Sequence, residues 1–309
     1  MKASVASLCA LLLSSIAVGG CDDTRPYNTL DKTRLLAVRA DLPDLGSGQT
    51  ATIDALVYSP DPEAEFTYQW SWCPWTMGSN FGFECLITQD DLDEIGLPLM
   101  PLDLGTGPTA SFPYPDPPEL VQGLCESFLD GIPPASRKNF PDCTERMPIT
   151  IAMTVSDGQT EISAVKEIDL IVDPNLDPNV NPVLIDLGAE RKGDAFEFVD
   201  GTAFEAGKAY DLQLAIEDGS AQLYPGEDYK GDPDERSELL GFTWFYTKGS
   251  LDRGHTGMVD LGTGLPKALK NIWTTPKKAQ NADFIIVVRD GRGGTDWLVR
   301  NVEVVEGAR

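Results

Sequence analysis

Apolar and polar residues alternate along much of this chain. The runs 50–58 and 209–216 place apolar side chains at every second position, and a glycine, Gly48 or Gly207, precedes each run. A period of two predicts half-buried β-strands, whereas a helix needs apolar positions at 3.6-residue spacing. The two runs are therefore expected to be strands in equivalent places of a repeated unit.

Further landmarks recur in the same order and support this repeat. An aromatic pair separated by one residue follows each run, and the pentapeptide Asp-Leu-Gly-Thr-Gly comes next in both halves. Each half then ends with two alternating strands around Asp-Gly, which favours a hairpin because glycine adopts positive φ without strain. The paired landmarks are Tyr68 to Trp70 and Phe242 to Trp244, residues 103–107 and 260–264, and the turns Asp157-Gly158 and Asp290-Gly291.

The order of these features predicts an all-β fold of two tandem Ig-like β-sandwiches, each with a tryptophan from its third strand in the core. The chain resembles bacterial lipoproteins built from Ig-like modules of the polycystic-kidney-disease (PKD) and fibronectin types. That resemblance implies a fold and a location, and no activity. We expect the first domain at residues 33–173, a Pro/Asn linker at 174–182, and the second domain at 183–306.

The first domain is expected to carry a partly helical, disulfide-bearing insertion at residues 76–147. Thr88 is placed to cap a short helix that runs to Glu94. A second helix is predicted because several apolar residues share one helical face. These residues are Leu120, Val121, Leu124, Cys125 and Phe128. The insertion would either cover a sheet edge or carry a binding surface.

Four cysteines remain after the N-terminal region, namely Cys73, Cys85, Cys125 and Cys143. An even number in an exported chain indicates two disulfides. Three pairings stay open, and we prefer the sequence-local one, in which Cys73 joins Cys85 and Cys125 joins Cys143.

The N-terminus has the pattern of a secretory signal peptide. Lys2 precedes a short apolar run, and residues 1–20 end in two glycines before Cys21. The junction Val18 to Cys21 resembles the bacterial lipobox. That resemblance implies that Cys21 is acylated, palmitate included, and becomes the new N-terminus. Residues 21–32 would then be a flexible tether, and the choice between inner and outer membrane stays open.

The charge of the chain narrows the classes of partner. There are 49 Asp and Glu residues against 24 Lys and Arg residues, for a net charge of -25. Nucleic acid is excluded, because its affinity for proteins comes mainly from Lys and Arg that neutralise phosphates. The partners expected are the lipid bilayer, through Cys21, and an envelope protein or polysaccharide.

The linker contains the one metal site that the sequence suggests. Asp177, Asn179 and Asn181 alternate with other residues in a pattern similar to the calcium-binding linkers of cadherins. That similarity implies a calcium ion between the domains. Val180 stands where those linkers have a second acid, and three prolines in the linker predict an extended spacer with the domains end to end.

No catalytic group is predicted. His255, the single histidine, lies in a glycine-flanked turn, and no nucleophile has a readable base beside it. Trp75 and Phe81, at the entry to the insertion, form a candidate ligand or partner patch. The sequence thus favours a non-enzymatic, membrane-anchored envelope lipoprotein with a binding, adhesion or scaffolding role. The alternative is an accessory enzyme or carbohydrate-binding component that acts on envelope or extracellular polymer.

Overall fold

The computed structural model describes residues 26–77, 82–94, 100–132, 137, 142–191, 197–227, 233–257 and 267–307. The described residues of the first half contain eight strands and two helices. They are β1 (Arg34–Ala40), β2 (Asp44–Leu45), β3 (Thr50–Tyr58), β4 (Thr67–Cys73), α1 (Gln89–Glu94), β5 (Asp103–Gly105), β6 (Thr109–Pro113), α2 (Pro118–Asp130), β7 (Arg146–Ser156) and β8 (Glu161–Ile171).

The second half contains twelve strands in its described residues. They are β9 (Leu184–Glu190), β10 (Glu197–Phe198), β11 (Ala203–Glu205), β12 (Ala209–Ile216), β13 (Leu223–Glu227), β14 (Pro233–Ser237), β15 (Gly241–Tyr246), β16 (Ser250–Leu251), β17 (His255–Gly257), β18 (Lys270–Thr274), β19 (Gln280–Arg289) and β20 (Thr295–Val305).

Apart from β13 and β14, which form a separate hairpin, the strands of each half form two facing sheets. In the first half the sheets have the orders β1-β3-β6 and β2-β8-β7-β4-β5; in the second they have the orders β10-β9-β12-β18-β16 and β11-β20-β19-β15-β17. In both halves a short early strand pairs parallel with the last strand, β2 with β8 and β11 with β20, while the other pairings are antiparallel. This is the strand order of an Ig-like sandwich. The prediction of two tandem Ig-like sandwiches is confirmed.

Each sandwich encloses its own hydrophobic core, as the alternating pattern requires. Trp70 and Trp244 occupy equivalent places, because β4 pairs with β7 and β15 pairs with β19, and both side chains are fully buried. Trp72 is also buried, as its shared face with Trp70 predicts. The two Asp-Gly landmarks lie in the β7–β8 and β19–β20 hairpins, where Gly158 and Gly291 have positive φ.

A third apolar cluster joins the two sandwiches. Leu36 and Ala37 of β1 pack with Phe245 of β15 and with Ile285 and Val287 of β19, and all five are buried. The face of β15 and β19 that points away from the second core therefore packs against β1 of the first domain. The prediction that the domains lie end to end is wrong. The domains pack side by side, because this arrangement buries the apolar side chains on the outer faces of the strands and removes them from water.

The segment 26–30 is not part of a flexible tether. The N–H of Leu30 donates to the Tyr246 carbonyl at 2.8 Å, and the N–H of Tyr246 donates to the Asn28 carbonyl at 3.1 Å. Asn28 and Leu30 are each 3% exposed. The tether expected at residues 21–32 is thus wrong for this part, because an apolar leucine and backbone hydrogen bonds hold the chain against the second domain.

The region 76–147 is not one continuous insertion. β5 pairs with β4, and β6 pairs with β3, so both strands belong to the sandwich. β6 is only five residues long, with Ala110 and Phe112 buried between exposed neighbours. A pattern this short does not distinguish a strand from an irregular segment, so the insertion was predicted too long. Two connections therefore leave the sandwich, one before β5 and one after β6.

Helices and disulfides lie in these two connections, as the sequence predicts. α1 begins after Thr88, whose Oγ1 accepts a hydrogen bond from the Asp91 N–H, and Asp91 Oδ2 accepts one from the Thr88 N–H in return. α2 buries Val121, Leu124 and Cys125 against the first core. The disulfides join Cys73 to Cys85 and Cys125 to Cys143, which is the sequence-local pairing.

Candidate functional site

The junction between the domains contains a buried polar network built around Asn179 of the linker. The Asn179 backbone N–H donates to Asp44 Oδ2 of the first domain at 2.8 Å. Its side-chain Nδ2 donates to Asp290 Oδ2 of the second domain at 2.9 Å and to the Arg292 carbonyl at 3.2 Å. Asn179 and Asp44 are each 2% exposed. One linker residue therefore ties both sandwiches together.

Two arginines flank this network, one from each domain. Arg146 Nη1 lies 3.0 Å from Asp169 and 3.4 Å from Asp44, and Arg292 Nη1 lies 2.8 Å from Glu238 Oε1. Burial raises the pKa of Asp44 above its usual range, and the Asn179 N–H and both guanidinium groups act against that rise. Burial also raises the pKa of Glu238. The two arginines therefore offset the burial of these carboxylates only in part.

Lys166 of β8 is a second contact between the domains. Its Nζ donates to the Gly293 carbonyl in the β19–β20 turn, and the residue is 7% exposed. Burial lowers the pKa of Lys166 to about 8, although the nearby Asp290 carboxylate favours the charged form. This lysine was not singled out from the sequence, because a single basic residue in a strand gives no sign that another domain covers it.

A groove of about 530 Å³ opens above the buried network. Arg146 and Arg292 lie along it, and the linker from Asn175 to Pro178 forms one wall. The hairpin strand β13 forms the other wall with Leu223, which is 63% exposed, and with Tyr224, over whose ring the Arg292 guanidinium lies at 4.6 Å. Grooves at domain junctions are common ligand sites. This groove is the candidate functional site.

The linker residues proposed for calcium serve other contacts. Asp177 is exposed, whereas Asn179 is buried, so their side chains face different surroundings. Asn181 Nδ2 donates to the Ala40 carbonyl at 2.7 Å, and its Oδ1 accepts from the Thr295 N–H at 2.8 Å. In the described residues, no group of three or more His, Cys, Asp or Glu is arranged to hold a metal. Asn179 and Asn181 thus use their side-chain amides in contacts between the domains, and calcium at Asp177, Asn179 and Asn181 stays a prediction.

The candidate patch at the first connection is only partly within the described residues. Trp75 is half-buried and stacks on Phe128 of α2, with ring centroids 4.5 Å apart and planes inclined by 6°. This contact places Trp75 against the helix and the first core. Phe81 lies outside the described residues, so the patch formed by both residues stays a prediction.

The remaining sequence candidates are Cys21 and His255. Cys21 is outside the described residues. His255 is exposed on β17, where its ring stacks on Tyr27 at 5.2 Å and its Nδ1 lies 3.1 Å from Thr243 Oγ1. His255 thus contacts the segment that follows Cys21 through Tyr27, and its ring nitrogen is paired with the Thr243 hydroxyl.

One sequence signal could have revealed the junction. Residues 284–288 read Phe-Ile-Ile-Val-Val, without alternation. A continuous apolar run in a strand indicates burial on both faces. The structure divides this run between the second core and the cluster shared by the domains. The polar residues of the groove carry no such signal, because they come from four separate parts of the chain.

Comparisons with known proteins give only distant structural likenesses. No family model and no curated protein matches the chain. The FN1–FN3 domains of chicken CNTN1 match 89% of this chain and 65% of their own, at 7% identity and a TM-score of 0.21. Murine CEACAM1b matches 87% of this chain and 100% of its own, at 8% identity and a TM-score of 0.22.

A third likeness is to the Escherichia coli alpha-2-macroglobulin activated by porcine elastase. It covers 91% of this chain and 22% of that protein, at 9% identity and a TM-score of 0.23. At these TM-scores the three likenesses assign no function. The class of the protein rests on its own sheet order, which is that of a tandem Ig-like protein. No helix in the described part of the chain is both long and apolar enough to cross a bilayer.

Proposed function

We propose that this chain is a membrane-anchored lipoprotein of the bacterial cell envelope with a non-enzymatic binding, adhesion or scaffolding role. The observation that carries the proposal is the junction, where Asn179 and the shared apolar cluster join both sandwiches into one unit. A rigid unit presents a groove of fixed shape, which lowers the entropy cost of binding a partner.

The lipobox supports the location of this unit. Cys21 lies five positions before the first described residue, and the chain is already docked on the second domain at Asn28. An acyl anchor at Cys21 would therefore hold the unit near the bilayer. Several acyl chains on one cysteine make such an anchor stable.

The anchor is tested by mass spectrometry of the protein purified from membranes of its bacterial host. The expected result is a diacylglyceryl or triacyl mass gain on a peptide that starts at Cys21, with the four other cysteines oxidised. An unmodified N-terminus would overturn the lipoprotein reading. A Cys21→Ala variant serves as the control, because it should lose the acyl mass and leave the membrane fraction.

The binding role is tested at the groove. In one variant a photo-crosslinking amino acid replaces Leu223, which is exposed in the groove. In the control variant the same amino acid replaces Ile185, which is 54% exposed on β9. Irradiation of intact cells is expected to give a discrete adduct from position 223 and none from position 185. Equal labelling at both positions, or none at either, would count against a binding site in the groove.

A further inference from the structure

The second domain carries a local excess of positive charge in a strongly acidic chain. Residues 248–278 contain six of the 24 Lys and Arg residues but only two of the 49 Asp and Glu residues. This stretch therefore has a net charge of +4, while the whole chain has -25. The positive charge of this acidic chain is therefore concentrated in about one-tenth of its length.

Three of these cations line one shallow depression of about 400 Å³. They are Arg253, Lys267 and Lys270, here called the cationic face. Arg253 Nη2 donates to the Lys270 carbonyl at 2.7 Å, which fixes the guanidinium against β18. Glu190 and Asp211 also line the depression.

The lysines of the cationic face are available to a partner. Lys267 and Lys270 are exposed, and within the described residues no carboxylate lies within ion-pair distance of either. Arg253 has only a long contact to Asp252, at 3.9 Å. By contrast, Arg39, Arg146, Arg292 and Arg300 all have carboxylate partners within 3.0 Å. The two lysines thus have no direct ion pair, and the three cations outnumber the two carboxylates, Glu190 and Asp211, that line the same depression.

The N-terminal segment brings this face close to the anchor. The Tyr27 ring stacks on His255, and the Tyr27 hydroxyl lies so close to Gly254 that a side chain there would collide with it. Gly254 directly follows Arg253. Cys21 precedes Tyr27 by six positions, so at 3.3–3.6 Å per residue the anchor lies within about 20 Å of this contact.

We propose that the cationic face of Arg253, Lys267 and Lys270 is the membrane-facing side of the second domain and binds the anionic headgroups of the bilayer that holds Cys21. The inference rests on the proposed lipoprotein anchor. Contact through the cationic face would orient the second domain on the bilayer, because the acidic remainder of its surface is repelled by the same headgroups. Each lysine near an anionic surface is expected to change binding about fivefold.

The test uses the acylated full chain in vesicles of phosphatidylcholine alone or of phosphatidylcholine with phosphatidylglycerol. Lysine acetylation rates are measured by mass spectrometry. Lys267 and Lys270 are expected to react several-fold more slowly on the anionic vesicles than on the neutral ones, and added salt should remove the difference. Equal rates on both vesicles would overturn the proposal.

Single variants distinguish binding through the cationic face from attraction by the net charge of the whole protein. Lys267→Gln should raise the reaction rate of Lys270 on anionic vesicles, and Lys270→Gln should do the same for Lys267. Arg236→Gln, an exposed change on β14, is the matched control and should leave both rates unchanged. An equal effect of all three variants would show that net charge alone determines the reaction rates, and it would contradict the proposal. A chain that fails to associate even with neutral vesicles lacks the anchor, and both proposals then fall together.

Discussion

Single polar residues decide how the two sandwiches are held. Asn179 donates from its backbone to one domain and from its side chain to the other, at 2.8 and 2.9 Å. Asp290 accepts from Asn179 and also from the Arg292 and Gly294 backbone N–H groups. Buried groups with this many partners are costly to leave unpaired. The junction therefore depends on individual hydrogen bonds as well as on apolar area.

The first prediction concerns Asn179→Ala. Loss of its amide leaves Asp290 Oδ2 and the Arg292 carbonyl with fewer partners, so the free energy of unfolding should fall by about 1–3 kcal/mol. Urea denaturation followed by tryptophan fluorescence measures the change. Asn175→Ala is the matched control, because Asn175 lies in the same linker but is exposed and bonds only to Asp173. Equal losses in both variants would refute the role of Asn179.

The second prediction concerns Lys166, whose pKa burial lowers from 10.5 to about 8. Between these values the unfolded chain holds a proton that the folded chain has lost, so this group stabilises the folded state increasingly as pH rises. Below pH 8 both states are protonated and the contribution is constant.

Lys166→Met removes this dependence. Across that pH window the wild type should gain up to about 3 kcal/mol relative to the variant. Denaturation series at several pH values measure the difference. A stability difference that does not change with pH would show that Lys166 keeps an ordinary pKa in the folded protein.

At the scale of elements, the N-terminal segment bridges to the second domain where Thr29 lies beside Tyr246 of β15. Asn28 and Thr29 run alongside Tyr246, and Leu30 enters the shared cluster beneath them. The segment precedes the first domain in sequence but packs on the second. The segment therefore adds a second connection between the two domains, besides the linker.

Leu30→Ala is predicted to destabilise the protein by about 2–5 kcal/mol, because the side chain is 3% exposed and its loss leaves a cavity. Guanidinium denaturation gives the value. Leu223→Ala serves as the control, since that leucine is 63% exposed and the change should be close to neutral. A neutral Leu30→Ala would show that the segment is not held by this residue.

The elements that the sequence predicted well are those with a strong local signal. The alternating strands and α2 follow from period and need no knowledge of the rest of the fold, whereas the sequence-local disulfide pairing was a preference among three that the structure settles. β6 was missed because five residues give little pattern. The groove could not be predicted, because Arg146, Tyr224 and Arg292 meet only once both domains and the linker are in place.

At the scale of the whole molecule, the side-by-side arrangement is the main difference from the sequence expectation. The linker prolines alone predict a spacer, but Ile285 and Val287 of β19 bury the outer face of a sheet that would otherwise be exposed. Arg39 adds a polar contact at the same interface, with Asp296 at 2.6 Å and the Trp297 ring at 4.1 Å. Apolar area and charge thus favour the same arrangement.

The last prediction tests this arrangement with two residues that face each other across the β19–β20 ladder. Ile285 is 5% exposed and lies in the shared cluster, whereas its partner Val299 is 48% exposed. Ile285→Asp places a carboxylate between the domains, where burial without a partner is costly. If the domains separate, the same carboxylate reaches water, so the sandwiches should persist while the molecule opens.

Small-angle X-ray scattering measures the result. The wild type is expected near a radius of gyration of about 20 Å, the value for a compact chain of this length, and Ile285→Asp is expected above it with its near-ultraviolet circular dichroism retained. Val299→Asp should match the wild type, because that position already faces solvent. A compact and fully stable Ile285→Asp would mean that the outer face of β19 is not an interface, and the junction would then rest on Asn179 and its polar network alone.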